Sequence, residues 1–185
     1  MRIVIAAVLG GIVMFLWQFV AHTMLPVGEM GVHQPRDEDV VLQAVSQGLP
    51  ESGIYMLPSI ESSKMYDEAV ASAWIEKAKT HPFAYVVVSP SSGDPTAMGL
   101  QLGRQFVVNV LAALLVAWLL AAIPVGFGGR VAGSVGLGVF GWLANVVPQW
   151  NWYRFPVDYV FGGLIEQGVG WLLAGLAIAW WLGRR

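Results

Sequence analysis

Glu166 and Gln167 interrupt the run from Val157 to Leu182, apolar apart from them and from Asp158 at its edge, some ten residues from its start. At helical rise that places the carboxyl about 15 Å down the run. An acid at such depth costs about 2.5–3.5 kcal/mol on insertion scales, so Glu166 must be paired, protonated or in contact with water. Gln18 and His22 stand four apart in the first apolar run, on one helical face. Asn109 and Asn145 each fall near one end of the second and third runs. Mapped onto spanning helices, all six groups lie in the same half of the bundle or near its midplane. They form the candidate site.

Several chemistries suit such a set. Glu166 bonded to Gln18, His22 or Asn145 fixes helix packing and nothing more. A cluster lining a pocket holds a lipid headgroup, a quinone-like molecule or a metal. Glu166 with His22 relays protons or ions, and catalysis is the remaining reading. The sequence leaves these open. It closes others: His22, His33 and His81 are the only histidines and none has zincin spacing. No GxSxG or Walker loop is present, and Gly126-Phe127-Gly128-Gly129 follows an apolar run rather than a strand. His22, Glu29 and His33 form at most a weak two-histidine, one-carboxylate set, so no metal and no cofactor is expected, and the reading leans away from an enzyme.

A second group is aromatic. Trp150, Trp152, Tyr153 and Arg154 sit in the short link before the last apolar run. As an interfacial belt these rings lie at headgroup level, matched by Trp180-Trp181 at the far end. Alternatively, Arg154 beside the rings grips an anionic headgroup or a partner subunit.

The elements that must position these residues follow from hydropathy. The chain has 185 residues, 56% hydrophobic and only 12% charged, against about 25% charged in soluble domains. Four apolar stretches, Ile3 to Leu25, Gln105 to Val125, Val131 to Val147 and Val157 to Leu182, approach or exceed the ~20 residues a bilayer needs. The third, 17 residues long, is expected to run on into Pro148. Residues 1–25 are read as transmembrane helix 1, a retained signal-anchor rather than a cleaved signal peptide, since no small-x-small triplet follows it. Residues 104–185 supply helices 2 to 4, with helices 2 and 3 closed into an antiparallel hairpin by a short loop. Small-xxx-small pairs, Gly129-Gly133 and Ser134-Gly138, predict close helix packing within the bundle or between copies.

Between helices 1 and 2, residues 26–103 carry ten acids and four bases, while the other segments carry two acids and six bases. Arg2, Arg130 and Arg184-Arg185 fall on one side if all four helices span. The positive-inside rule then makes both termini cytoplasmic and the acidic segment periplasmic. A nucleic-acid partner is excluded for want of a basic face. The segment reads as a small α/β domain: a capped helix from Pro35 to Gly48, a strand at Gly53 to Leu57, a helix from Glu61 to Lys79, a strand at Phe83 to Ser89 and a turn at Ser91 to Pro95. Two strands and two helices make a thin core, expected to lean on the membrane helices, a second copy or a partner. No cysteine is available to brace it.

The exit from helix 1, Trp17-Gln18-Phe19 through His22 to Leu25-Pro26-Val27-Gly28-Glu29-Met30-Gly31, together with Trp150-Asn151-Trp152-Tyr153, resembles a group of small uncharacterised bacterial inner-membrane proteins. The resemblance implies the four-helix topology and lends no catalytic residue. The expected fold is therefore a membrane α-helical, four-transmembrane-helix bundle with a small extracytoplasmic α/β domain. The expected function is an accessory subunit or a binding and sensing module, with the lipid bilayer, a periplasmic or membrane protein and further copies of the chain as partners. The competing expectation is an oligomeric small-molecule or ion pathway centred on Glu166.

Overall fold

The computed structural model describes residues 1–89, 91, 93–94 and 96–184. Ser92 and Pro95 of the expected turn and Arg185 of the expected basic pair lie outside them. The chain divides into two compact units, Met1–His33 with Thr96–Arg185, and Gln34–Pro95.

The first unit holds four long helices: α1 (Arg2–Thr23), α4 (Gly99–Ala122), α5 (Phe127–Tyr153) and α6 (Val157–Gly183). Each is long and apolar enough to cross a membrane, so the chain has the make-up of an integral membrane protein. The helix α1 lies between α4 and α6, and α6 packs in turn on α5. Glycines permit these approaches. A Cβ on Gly11 would stand 2.8 Å from the Val110 Cα, and one on Gly175 would stand 2.6 Å from the Ser134 Cβ. Ser134 also donates a 2.9 Å hydrogen bond to the Trp171 carbonyl, tying α5 to α6. The small residue pair Ser134 and Gly138 thus serves packing inside the bundle.

Two expectations need correction. The helices α4 and α5, joined by a short link, pack only lightly on each other, Gly133 lying beside Leu120. The reason is that α1 takes up the face of α4: Gly10 and Gly11 let Ala113 and Val110 come close, a tighter fit than α5 offers. The link from Pro148 to Pro156 is also mostly helix, because α5 continues through Pro148 to Tyr153. A proline forfeits one backbone bond but not the rest of the helix. Arg154 ends it in the left-handed conformation (φ 56°).

The second unit contains α2 (Glu38–Gly48), β1 (Gly53–Leu57), α3 (Glu68–Thr80) and β2 (Ala84–Val88). Asp37 and Asp67 cap the two helices by accepting from the first-turn amides of Val40, and of Ala69 and Val70. The second cap explains why α3 starts at Glu68 rather than at Glu61: a separate 3-10 turn occupies Ser62–Lys64. There the ammonium of Lys64, with the Ser63 hydroxyl, holds the exposed Glu61 carboxyl below its ordinary value. The strands pair antiparallel, Tyr55 opposite Val86. Val88 is the buried hydrophobic residue of this unit, and Trp74 anchors α3 to the end of β1 by donating to the Pro58 carbonyl at 3.0 Å.

Candidate functional site

At the ends of α1, α4 and α6 that join the 26–31 and 96–98 segments, five polar side chains form one connected ladder. Glu166 on α6 is its lower rung. Gln18 donates from Nε2 to the Glu166 Oε1 at 3.3 Å, and the His22 Nε2 stands 3.4 Å from Oε2. Because Gln18 and His22 lie four apart on α1, a single helical face meets both oxygens. The Trp17 indole donates to the Glu166 main-chain carbonyl at 3.0 Å, fixing α6 against α1 at the same height.

The ladder continues onto α4. Asn109 donates to the Gln18 Oε1 at 2.7 Å, while Gln105 donates to the Asn109 Oδ1 at 3.0 Å and to the Gln18 Oε1 at 3.4 Å. Asn109 is buried, as Ser134 is among the polar residues. Glu166 is 22% exposed and His22 51%, so the ion-pair partner faces outward while the carboxylate sits behind it. Glu166 is thus hydrogen-bonded and partly exposed at this depth, one of the ways an acid there can be accommodated.

The chain after α1 folds back over this end. A 3-10 turn at Pro26–Glu29 presses Gly28 on the histidine ring, so that a Cβ there would lie 2.3 Å from the His22 Nδ1. Two residues on, Gly31 takes φ +77° beside the Tyr159 backbone, a conformation that favours glycine. The turn therefore orients His22 toward Glu166.

A cavity of about 510 Å³ opens against the ladder. Its apolar walls come from Phe15, Phe19, Met98 and Leu102, and its polar edge from Gln18, His22, Gln105 and Glu166. That size lies in the ordinary range for small-molecule sites, about 300–1,000 Å³, and apolar walls with a few polar groups are their usual lining.

Of the residues singled out from sequence, Gln18, His22, Asn109 and Glu166 come together. Asn145 does not: it is exposed and donates to the Gly141 carbonyl of its own helix at 3.0 Å. Gln167 faces away from Glu166 and accepts from the Trp171 indole at 3.1 Å. His22, Glu29 and His33 do not converge, and among the described residues no group of three His, Cys, Asp or Glu is placed to hold a metal ion. Trp150, Trp152 and Tyr153 are exposed on the last turn of α5, with Arg154 at its cap. Gln105 was missed, although its spacing of four from Asn109 is the same signal that linked Gln18 to His22.

The opposite end of the bundle is built differently. Ala6, Leu120, Ile178 and Leu182 are buried there, with Ser134 as the buried polar side chain nearby. Arg2 donates to the carbonyls of Leu182 and Arg184, the Trp181 indole donates to the Arg2 carbonyl, and the Arg184 guanidinium lies 3.6 Å over the Trp180 ring. Comparison with protein-family models, with curated proteins and with solved structures finds no match. The reading of the site rests on its geometry.

Proposed function

We propose that this chain is a non-enzymatic integral protein of a bacterial inner membrane, a binding or sensing module in which the polar end of the bundle holds a small amphiphilic ligand. The observation that carries this reading is the cavity of about 510 Å³ with the Glu166 ladder in its wall and two phenylalanines beside it. An apolar body and a polar head would each meet their own kind there. The placement of bases supports cytoplasmic termini: Arg2, Arg130 and Arg184 belong to one end of the helices. The acidic unit would then stand in the periplasm. Among its described residues Val88 is the one buried hydrophobic, a thin core that supports an accessory role in which a partner covers the unit. The central position of α1 favours a retained helix over a cleaved one, since cleavage would remove the neighbour of both α4 and α6.

The pathway reading has less support. Beyond Asn109 the buried side chains of α4 are Ala113, Val116, Ala117 and Leu120, which offer an ion no ligand.

The test is native mass spectrometry of the chain purified from its own membranes in mild detergent. A retained small-molecule adduct is expected, and Leu102→Trp, which fills the cavity from its exposed wall, should remove it. A bare mass for the wild type, or an adduct that survives Leu102→Trp, would sink the ligand reading.

A further inference from the structure

The hydrogen bonds of the polar wall sort into donors and acceptors, and the two are not equally engaged. Each side-chain donor on the ladder already points at an internal acceptor: Gln18 and His22 at Glu166, Asn109 at Gln18, Gln105 at Asn109 and Gln18. The Thr23 hydroxyl at the same rim donates to the Phe19 carbonyl at 2.7 Å. Acceptor capacity remains. A carboxylate offers about four lone-pair sites, and the Glu166 side chain accepts one hydrogen bond on Oε1, with the His22 Nε2 3.4 Å from Oε2. The Gln105 amide oxygen is used by none of the bonds just named.

A head that needs donors finds one spare neutral N–H here, the second hydrogen of the Gln18 amide, against the larger unused acceptor capacity of Glu166 and Gln105. A phosphate or carboxylate head would face the Glu166 carboxyl with no Lys or Arg in the lining, and the one imidazole there, His22, already stands against Glu166. A quinone carbonyl would meet only that neutral amide donor and would leave the acceptors of Glu166 and Gln105 unmatched. A head that donates meets those acceptors. A positive charge on that head gains most, from the partly buried Glu166 carboxylate.

We infer that the cavity takes the ammonium head of an amphiphile, seated on Glu166 and the Gln105 carbonyl, with its hydrocarbon body along Phe15, Phe19 and Leu102. The inference rests on the ligand-binding reading above and gives it a chemical class. The ammonium belongs either to a membrane lipid headgroup or to a free lipophilic amine, since both present the same donors.

The experiment uses the full chain in a nonionic detergent and counts retained ligand by native mass spectrometry. The probes are dodecylammonium, dodecanol and dodecyl phosphate, with phosphatidylethanolamine against its N-acetylated form as the lipid arm. One dodecylammonium per chain is expected, retained at least about tenfold better than either other probe, the scale of one charge-assisted hydrogen bond. Glu166→Gln should remove that preference, and Asn145→Ala should keep it. Retention of phosphatidylethanolamine but not of its acetylated form assigns the ammonium to a lipid, whereas retention of dodecylammonium alone assigns it to a free amine. Equal retention of dodecanol and dodecylammonium, both lost in Leu102→Trp, would overturn the ammonium assignment while leaving the binding site standing. Retention of no probe in the wild type would overturn both. Should Glu166→Gln fail to fold, the probe comparison and Leu102→Trp decide by themselves.

Discussion

The two ends of this bundle solve the same problem, holding α1 between its neighbours, with opposite materials. One end uses Gln18, Asn109, Gln105 and Glu166 in a ladder of hydrogen bonds. The other uses the fully buried Ile178 and Leu120, among small residues such as Ala6 and Ala117. In lipid, close contact is the main attraction between helices, and side-chain hydrogen bonds across them average only about 0.6 kcal/mol each, with about 1.7 at most. The packed end should therefore carry stability, and the polar end should carry selectivity.

Substitutions can break that division. The largest effect is expected from Ile178→Ala at the packed end, which removes a fully buried side chain and should cost about 2–5 kcal/mol. Thermal unfolding in detergent would show it as the steepest loss of melting temperature. A smaller loss than any ladder variant gives would overturn the assignment of stability to packing. Asn109→Leu is expected to cost less, about 1 kcal/mol, because Gln105 still reaches the Gln18 carbonyl. If it unfolds the chain outright, the ladder is a structural keystone and the two ends are alike. The smallest change in stability should come from Gly28→Ala, whose new methyl pushes the His22 ring away from Glu166. There the informative reading is the ring nitrogen resonance of His22, expected to move as it does in Glu166→Gln. An unmoved resonance would mean that the turn does not set the histidine.

How much of this was legible beforehand depended on whether length or facing was at issue. The four helices followed from apolar run length, which a bilayer dictates directly, and β1 from a short apolar run, Gly53 to Leu57, between Pro50 and Pro58. The end of α5 was not legible, since Trp150 to Tyr153 are compatible with a helix or a link and only packing decides. Depth was readable for the site residues but facing was not. The stripe of α5 that meets α6 steps by four through Ser134, Gly138, Trp142 and Val146, as their contacts with Trp171, Val160 and Gly163 show. Asn145 stands one position off that stripe, about 100° round the helix. Gln167 is turned away from the ladder by the same single step. Which stripe is used depends on the neighbour's shape, and hydropathy alone does not encode it.

The position of α1 also has a consequence for how the chain is made. Of the four long helices it is the first to be synthesised, yet both of its neighbours follow later, and its bonds with Glu166 close a separation of 148 residues. Contacts that distant form late, because the intervening chain must be ordered before they are rewarded. Until α6 is in place, Gln18 and His22 lack the carboxylate that engages them. The first helix to enter is thus the last to be satisfied, and a chain interrupted before α6 would present an unfinished polar face to whatever surveys the membrane for incomplete proteins.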